Sequence, residues 1–280
     1  VSTFYVWYKL FYLLQEYTPA MIHYLSHFTP AMIQKTIKYT PTMIQIIYIC
    51  SWIIKDYRMF KRNIENKLQK WAINPYRKPL ILRGARQVGK TTVVNRFAEN
   101  FDNYLFVNLE KSSAKQLMES TDEVKKLLPL LFLYCNVIQK EGRTLLFIDE
   151  IQQSPHTVSL LRYFYEELPE IYVIAAGSLL ETMLDKHISL PVGRVEFMAL
   201  HPCSFTEFLI ATGNERYIEI LIEPSLTTAL HQELMQLFNI YALIGGMPEV
   251  VARYAAAHDI VSLSSTYNQL LNAYKNDVEK

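Results

Sequence analysis

Residues 80–92 read LILRGARQVGKTT. LILR is a short apolar run of the kind that forms a buried strand, and GARQVGKT at 84–91 follows it as a glycine-bounded loop leading into a helix. That order, strand then loop then Lys-Thr at a helix start, is what a phosphate-binding loop requires. Gly84 and Gly89 permit backbone conformations that a Cβ forbids, so the N–H groups of Ala85, Arg86, Gln87 and Val88 can turn inward toward phosphate oxygens. Lys90 is expected to reach the β- and γ-phosphates as a point charge, and the Thr91 hydroxyl to ligate magnesium. The helix N-terminus adds partial positive charge, and the nucleotide-binding stretch runs on through Thr92. Arg86 occupies a variable loop position and is expected to face solvent.

Working outward, the chain alternates strand and helix. The pattern predicts strands at 79–83, 104–109, 144–149 and 171–177 and helices at 90–100, 122–140 and 157–167. LILR, YLFVNL, TLLFID and YVIAAG are nearly continuous apolar runs, as a parallel sheet covered on both faces demands. The expected class is therefore α/β, a doubly wound parallel sheet. Upstream, MFKRNIENKLQKWAINPYRKP at 59–79 carries Ile64, Leu68 and Trp71 at helical spacing. Beyond about 203 the pattern is mostly helical, and SFTE at 204–207 reads as a capping box with Ser204 at the N-cap and Glu207 at N3.

TLLFIDE ends a buried strand in Asp149–Glu150, 59 residues after Lys90. Asp149 is expected to hold magnesium, directly or through water, and Glu150 to polarise the attacking water as general base. A glutamate next to the metal carboxylate favours a hydrolase over a kinase. A guanine-reading NKxD motif is absent downstream; NKLQ at 66–69 lies upstream and lacks the acid. Adenine is therefore the expected base and ATP the expected ligand.

Three further elements follow. Ser178 ends the run YVIAAGS and either hydrogen-bonds the γ-phosphate or attacking water or serves as a helix N-cap. Arg194, in LPVGR, either stabilises charge on the γ-phosphate, in cis or from a neighbouring subunit, or is a surface arginine. Arg162 reads as a helix-face charge. In YALIGGMPEVV, Gly245–Gly246 is expected to end one helix and Pro248 to begin the next, either an ordinary turn or a bend at which a lid closes over the base.

Residues 1–58 differ in texture. Up to residue 54 only Lys9, Glu16, Lys35 and Lys38 are charged, and TPAMI, TPAMI and TPTMI recur at 18, 29 and 40. The run MIQIIYICSWII at 43–54 falls short of the ~18–20 residues a spanning helix needs. The segment lacks a basic n-region and a small-residue cleavage site. It reads as an extension outside the enzyme, with a partner- or membrane-associated segment and a small repeat domain as alternatives; membrane insertion is not expected. Residue 1 is Val and the chain ends in NQLLNAYKNDVEK, a helical pattern with no stop signal, so it reads as part of a longer protein with Met59 as the natural start. With 28 basic and 27 acidic residues, the near-neutral balance disfavours a basic nucleic-acid surface over the whole chain. Cys50, Cys135 and Cys203 form no metal-ligand spacing, and a reducing cytoplasmic setting is expected.

Taken together, LILRGARQVGKTT, LLFIDEIQ, IAAGSLLE, PVGRVEFMALHPCSFTEFL and LIGGMPEVV resemble a group of bacterial and archaeal AAA-type P-loop ATPases whose core precedes a C-terminal domain of uncharacterised function. The resemblance begins near Met59. It implies an AAA-type core at 59–202, a helical lid at 203–262 and the start of the further domain at 263–280. It also implies that Gly193–Arg194 and Gly246–Met247–Pro248 match motifs of the group, with Pro248 near adenine. The expected activity is magnesium-dependent ATP hydrolysis. Alternatives are a nucleotide-gated signalling or defence switch and a DNA- or RNA-engaging ATPase. A homo-oligomer formed through Arg194 and a protein or nucleic-acid client are the expected partners.

Overall fold

Alternation along each strand sends side chains to two faces, and both faces of this sheet are covered. The computed structural model describes residues 60–177, 191, 193–222 and 228–278. Five strands pair in parallel: β1 (Leu80–Arg83), β2 (Asn103–Asn108), β3 (Thr144–Asp149), β4 (Tyr172–Gly177) and β5 (Glu196–Ala199), in the order β2-β3-β4-β1-β5. On one face, Ile81, Val107, Ile148 and Ala175 pack against α3 (Ser112–Met118), α4 (Val124–Tyr134) and α5 (Pro155–Glu167). On the other, Leu82, Leu145, Phe147 and Ile174 pack against α1 (Asn63–Ile73) and α2 (Lys90–Phe97). Each fully buried aliphatic or aromatic side chain contributes ~1.5–3 kcal/mol, so burial outweighs local propensity in setting these elements.

A third cluster is mostly helical. The helices α6 (Phe205–Ala211), α7 (Arg216–Ile222), α8 (Thr228–Ile244), α9 (Pro248–Ala257) and α10 (Ser264–Val278) enclose Phe208, Leu209, Ile244, Val250, Val251 and Leu263. The expected capping box at the start of α6 is present, with Ser204 Oγ accepting from the Glu207 amide and Glu207 Oε2 accepting from the Ser204 amide. Gly245, in the left-handed region at φ +64°, ends α8, and Pro248 occupies the first turn of α9, as expected.

Three departures from the sequence reading have clear causes. The helix expected over 122–140 stops at Tyr134, because Asn136 takes a left-handed conformation at φ +53° and the next amides fold back onto α4. The seven-residue α3 carries too weak a pattern to predict, since only Ala114 and Met118 are buried on it. The edge strand β5 falls outside the predicted strands, since none of its four residues is fully buried and the apolar-run signal fails there. Among the described residues no helix is long and apolar enough to cross a membrane.

Candidate functional site

Because the strands are parallel, their C-terminal ends share one edge of the sheet, and the expected phosphate site lies there. The loop 84–91 leaves β1 at Arg83, Asp149 ends β3, and β4, which lies between them, ends at Gly177. Gly84 lies against the next segment so closely that a Cβ would run into the Leu200 carbonyl. Gly89 is left-handed at φ +89° and forms the N-cap of α2. Gln87 is left-handed as well, at φ +65°.

Lys90 is buried, and its Nζ donates to the carbonyls of Gly84 at 2.8 Å and Ala85 at 2.9 Å. Burial pulls its pKa below the ordinary lysine value, against the opposing pull of Glu150 and Asp149. Thr91 Oγ1 donates to Asp149 Oδ2 at 2.7 Å, so the two expected metal ligands are already in contact. Glu150 stands at φ +55° and ψ +46°, a left-handed conformation uncommon for a residue with a side chain. Burial raises its pKa above the ordinary glutamate value. The Gln152 side-chain amide opposes this by donating to Glu150 Oε2, while Asp149 and Glu110 add to it.

Other expected residues fall into place unevenly. Arg86 and Thr92 are exposed, and Val88 is fully buried. Pro248 approaches the loop, its Cγ 3.9 Å from where a Cβ on Gly89 would stand. Arg162 is a helix-face charge paired with Glu166 one turn on. Arg194 is not near Lys90 of its own chain. It precedes β5, whose Glu196 is level with Leu80, so it stands at the N-terminal edge of the sheet, about 20 Å along the strand direction from the phosphate loop. There Arg194 Nε donates to Glu166 Oε1 at 2.9 Å. Ser178 lies outside the described residues.

Three side chains at the candidate site escape a reading of the sequence. Arg62, just ahead of α1, donates to the Val88 carbonyl at 3.1 Å. Tyr274 of α10 donates to the Arg86 carbonyl at 3.1 Å. Gln152 contacts Glu150. The spacing of Tyr267, Leu270 and Tyr274 marks an inward helix face, but nothing local marks Arg62. Four loop carbonyls (Gly84, Ala85, Arg86 and Val88) thus hold a side-chain donor. Glycine-bounded loop, lysine, hydroxyl and carboxylate together fit a magnesium–nucleotide ligand. Among the described residues no group of three His, Cys, Asp or Glu forms a metal cluster of its own.

A parallel sheet with this loop on β1 and the acidic pair on β3 defines the P-loop nucleotide-binding class. Residues 76–209, just under half of the chain, match the family described as AAA domain, and over that stretch the chain is similar to AAA-type P-loop ATPases. An uncharacterised protein of Methanocaldococcus jannaschii is 29% identical over 202 residues, covering 68% of this chain and 39% of that protein. The chain thus matches well under half the length of this curated relative. A Walker-type ATPase of Pyrococcus abyssi superposes with a TM-score of 0.52 at 16% identity, over 79% of this chain and 76% of that one, a likeness of fold.

Proposed function

We propose that the chain binds ATP with magnesium and hydrolyses it to ADP and phosphate. The observation that carries this reading is the Thr91–Asp149 hydrogen bond beside the buried Lys90. Lys90 exchanges the Gly84 and Ala85 carbonyls for β- and γ-phosphate oxygens when nucleotide enters. Thr91 and Asp149 are the residues that would hold magnesium, which would supply positive charge to offset that of the phosphates. Glu150 accepts the proton of the attacking water, and its desolvated carboxylate is a stronger base than a hydrated one. Ser178 follows β4 in sequence and is proposed to contact the γ-phosphate. Arg194 is proposed to act on the nucleotide of a neighbouring subunit, given its distance from its own Lys90. In this reading 59–202 is the catalytic core, 203–262 the lid carrying Pro248 toward the base, and 263–280 the start of a further domain. The free thiols Cys135 and Cys203 support a reducing, cytoplasmic setting.

A second reading, a switch that holds ATP with little turnover, is favoured by the Gln152 amide that occupies Glu150. One experiment separates the two: ATP binding and phosphate release by the wild type, Glu150→Gln and Lys90→Ala. For a hydrolase, Glu150→Gln binds ATP and loses turnover by roughly 100-fold or more, and Lys90→Ala loses binding. Undiminished turnover in Glu150→Gln overturns the base assignment. Tight binding with negligible turnover in the wild type favours the switch.

A further inference from the structure

We propose that Arg62 is a positioning residue that couples the phosphate loop to the helical lid, so that nucleotide bound at the loop stiffens the lid. The proposal rests on the nucleotide-binding reading above. Arg62 is 5% exposed although it is an arginine, and it joins three segments distant in sequence. Its Nη1 donates to the Val88 carbonyl at 3.1 Å, its Nη2 to the His201 carbonyl at 2.8 Å, and its Nε to Glu207 Oε1 at 3.0 Å. These acceptors belong to the phosphate loop, the segment leaving β5 and the first turn of α6. Both carboxylate oxygens of Glu207 are engaged, since Oε1 also accepts from the Asn63 amide at 2.7 Å and Oε2 from the Ser204 amide at 2.8 Å.

The geometry makes this more than a core contact. In a loop that cradles an anion the amides converge inward and the carbonyls face out. Arg62 therefore grips the loop from its outer side, one residue ahead of Gly89, and its Nη1 lies 3.7 Å from where a Cβ on Gly89 would stand. The orientation of the Val88–Gly89 peptide and the position of α6 are thus set by one planar fork. A lysine carries the same charge but cannot span three acceptors in fixed directions. Loss of either member of the buried pair leaves the other charge without its partner.

The test uses the full chain, with ADP and magnesium as the probe, at concentrations that saturate each variant. Hydrogen exchange of amides in α6 and α9 is measured with and without the probe. In the wild type the probe slows exchange in both helices about tenfold, and in Arg62→Gln less than about twofold. Arg62→Lys gives an intermediate ratio. A merely structural arginine raises exchange equally with and without nucleotide and leaves the ratio intact; that outcome overturns the proposal. Should Arg62→Gln not fold, Glu207→Gln retains one of the two acceptor oxygens, removes the charge facing Arg62 and is expected to lower the ratio likewise. Failure of the wild type to bind the probe overturns the nucleotide reading itself. Normal binding with an unchanged ratio in the variants overturns only the coupling.

Discussion

Thr91 Oγ1 donates to Asp149 Oδ2 at 2.7 Å, so the end of the phosphate loop and the end of β3 meet across 58 positions of sequence. The pair is held by backbone on both sides. Thr91 sits in the first turn of α2, and Asp149 Oδ1 accepts the Glu150 amide at 3.1 Å. Asp149→Asn keeps the shape and removes the charge. It is expected to lower ATP turnover roughly 100-fold and to raise the magnesium concentration needed for half-maximal rate. Chelation of magnesium in the wild type is expected to stop turnover. Phosphate release across a magnesium titration measures both effects.

The two glycines of GGMP are needed for different reasons. Gly245 has φ +64° with open space where a methyl group would stand, whereas Gly246 has no left-handed φ but would drive a Cβ into the Cys203 carbonyl and to 3.0 Å from the Cys203 amide. Gly246→Ala is expected to cost ~1–3 kcal/mol through overpacking, and Gly245→Ala about 1 kcal/mol through backbone strain. Thermal or urea unfolding of the two variants gives the order directly. Equal losses would show that the Cys203–Gly246 contact is not tight.

Arg194 and Glu166 predict a dependence on chain concentration. Their ion pair lies at the edge of the sheet away from the phosphate loop and is partly exposed, so it adds little to stability. Arg194→Ala is expected to leave ATP affinity unchanged and to reduce turnover only where chains associate. Mixing Arg194→Ala with Lys90→Ala, each deficient alone, is expected to restore part of the activity. No recovery across a wide concentration range rules out action between subunits.

Cys203 predicts a pH-dependent reactivity. It is buried beside the Gly246 carbonyl, which accepts its amide at 2.6 Å, and burial pushes its thiol up to about 12 from an ordinary 9.0. At pH 8 only about one such thiol in ten thousand is ionised, so alkylation is expected to run about a thousandfold slower than at an ordinary cysteine. The folded state holds this proton more tightly than the unfolded chain, so stability falls as pH rises from 9.0 to about 12. Mass-spectrometric tracking of Cys203 alkylation against pH, with melting curves alongside, tests both statements.

Much of the candidate site is legible in the sequence because its chemistry is local. GARQVGKT carries its own glycines, cation and hydroxyl, and the strand LILR before it declares the setting. Asp149–Glu150 is legible because a fully buried strand has nowhere to put an acidic pair except its end. The α6 capping box and the α8–α9 turn are legible for a similar reason, since cap and glycine signals act within four residues. The short α3 and the thinly buried β5 have too little periodicity to read.

The sequence by itself determined the phosphate loop, the acidic pair and the α/β order of the core, because neighbouring residues encode backbone conformation and strand burial. Only the tertiary structure decided which distant groups hold that loop. The acceptors of Arg62 lie 26, 139 and 145 residues away, and no local pattern marks a side chain whose partners are brought together by the sheet order β2-β3-β4-β1-β5. The same parallel pairing carried Arg194 to the far edge, since a residue ahead of β5 must stand opposite the strand ends that bear Lys90 and Asp149.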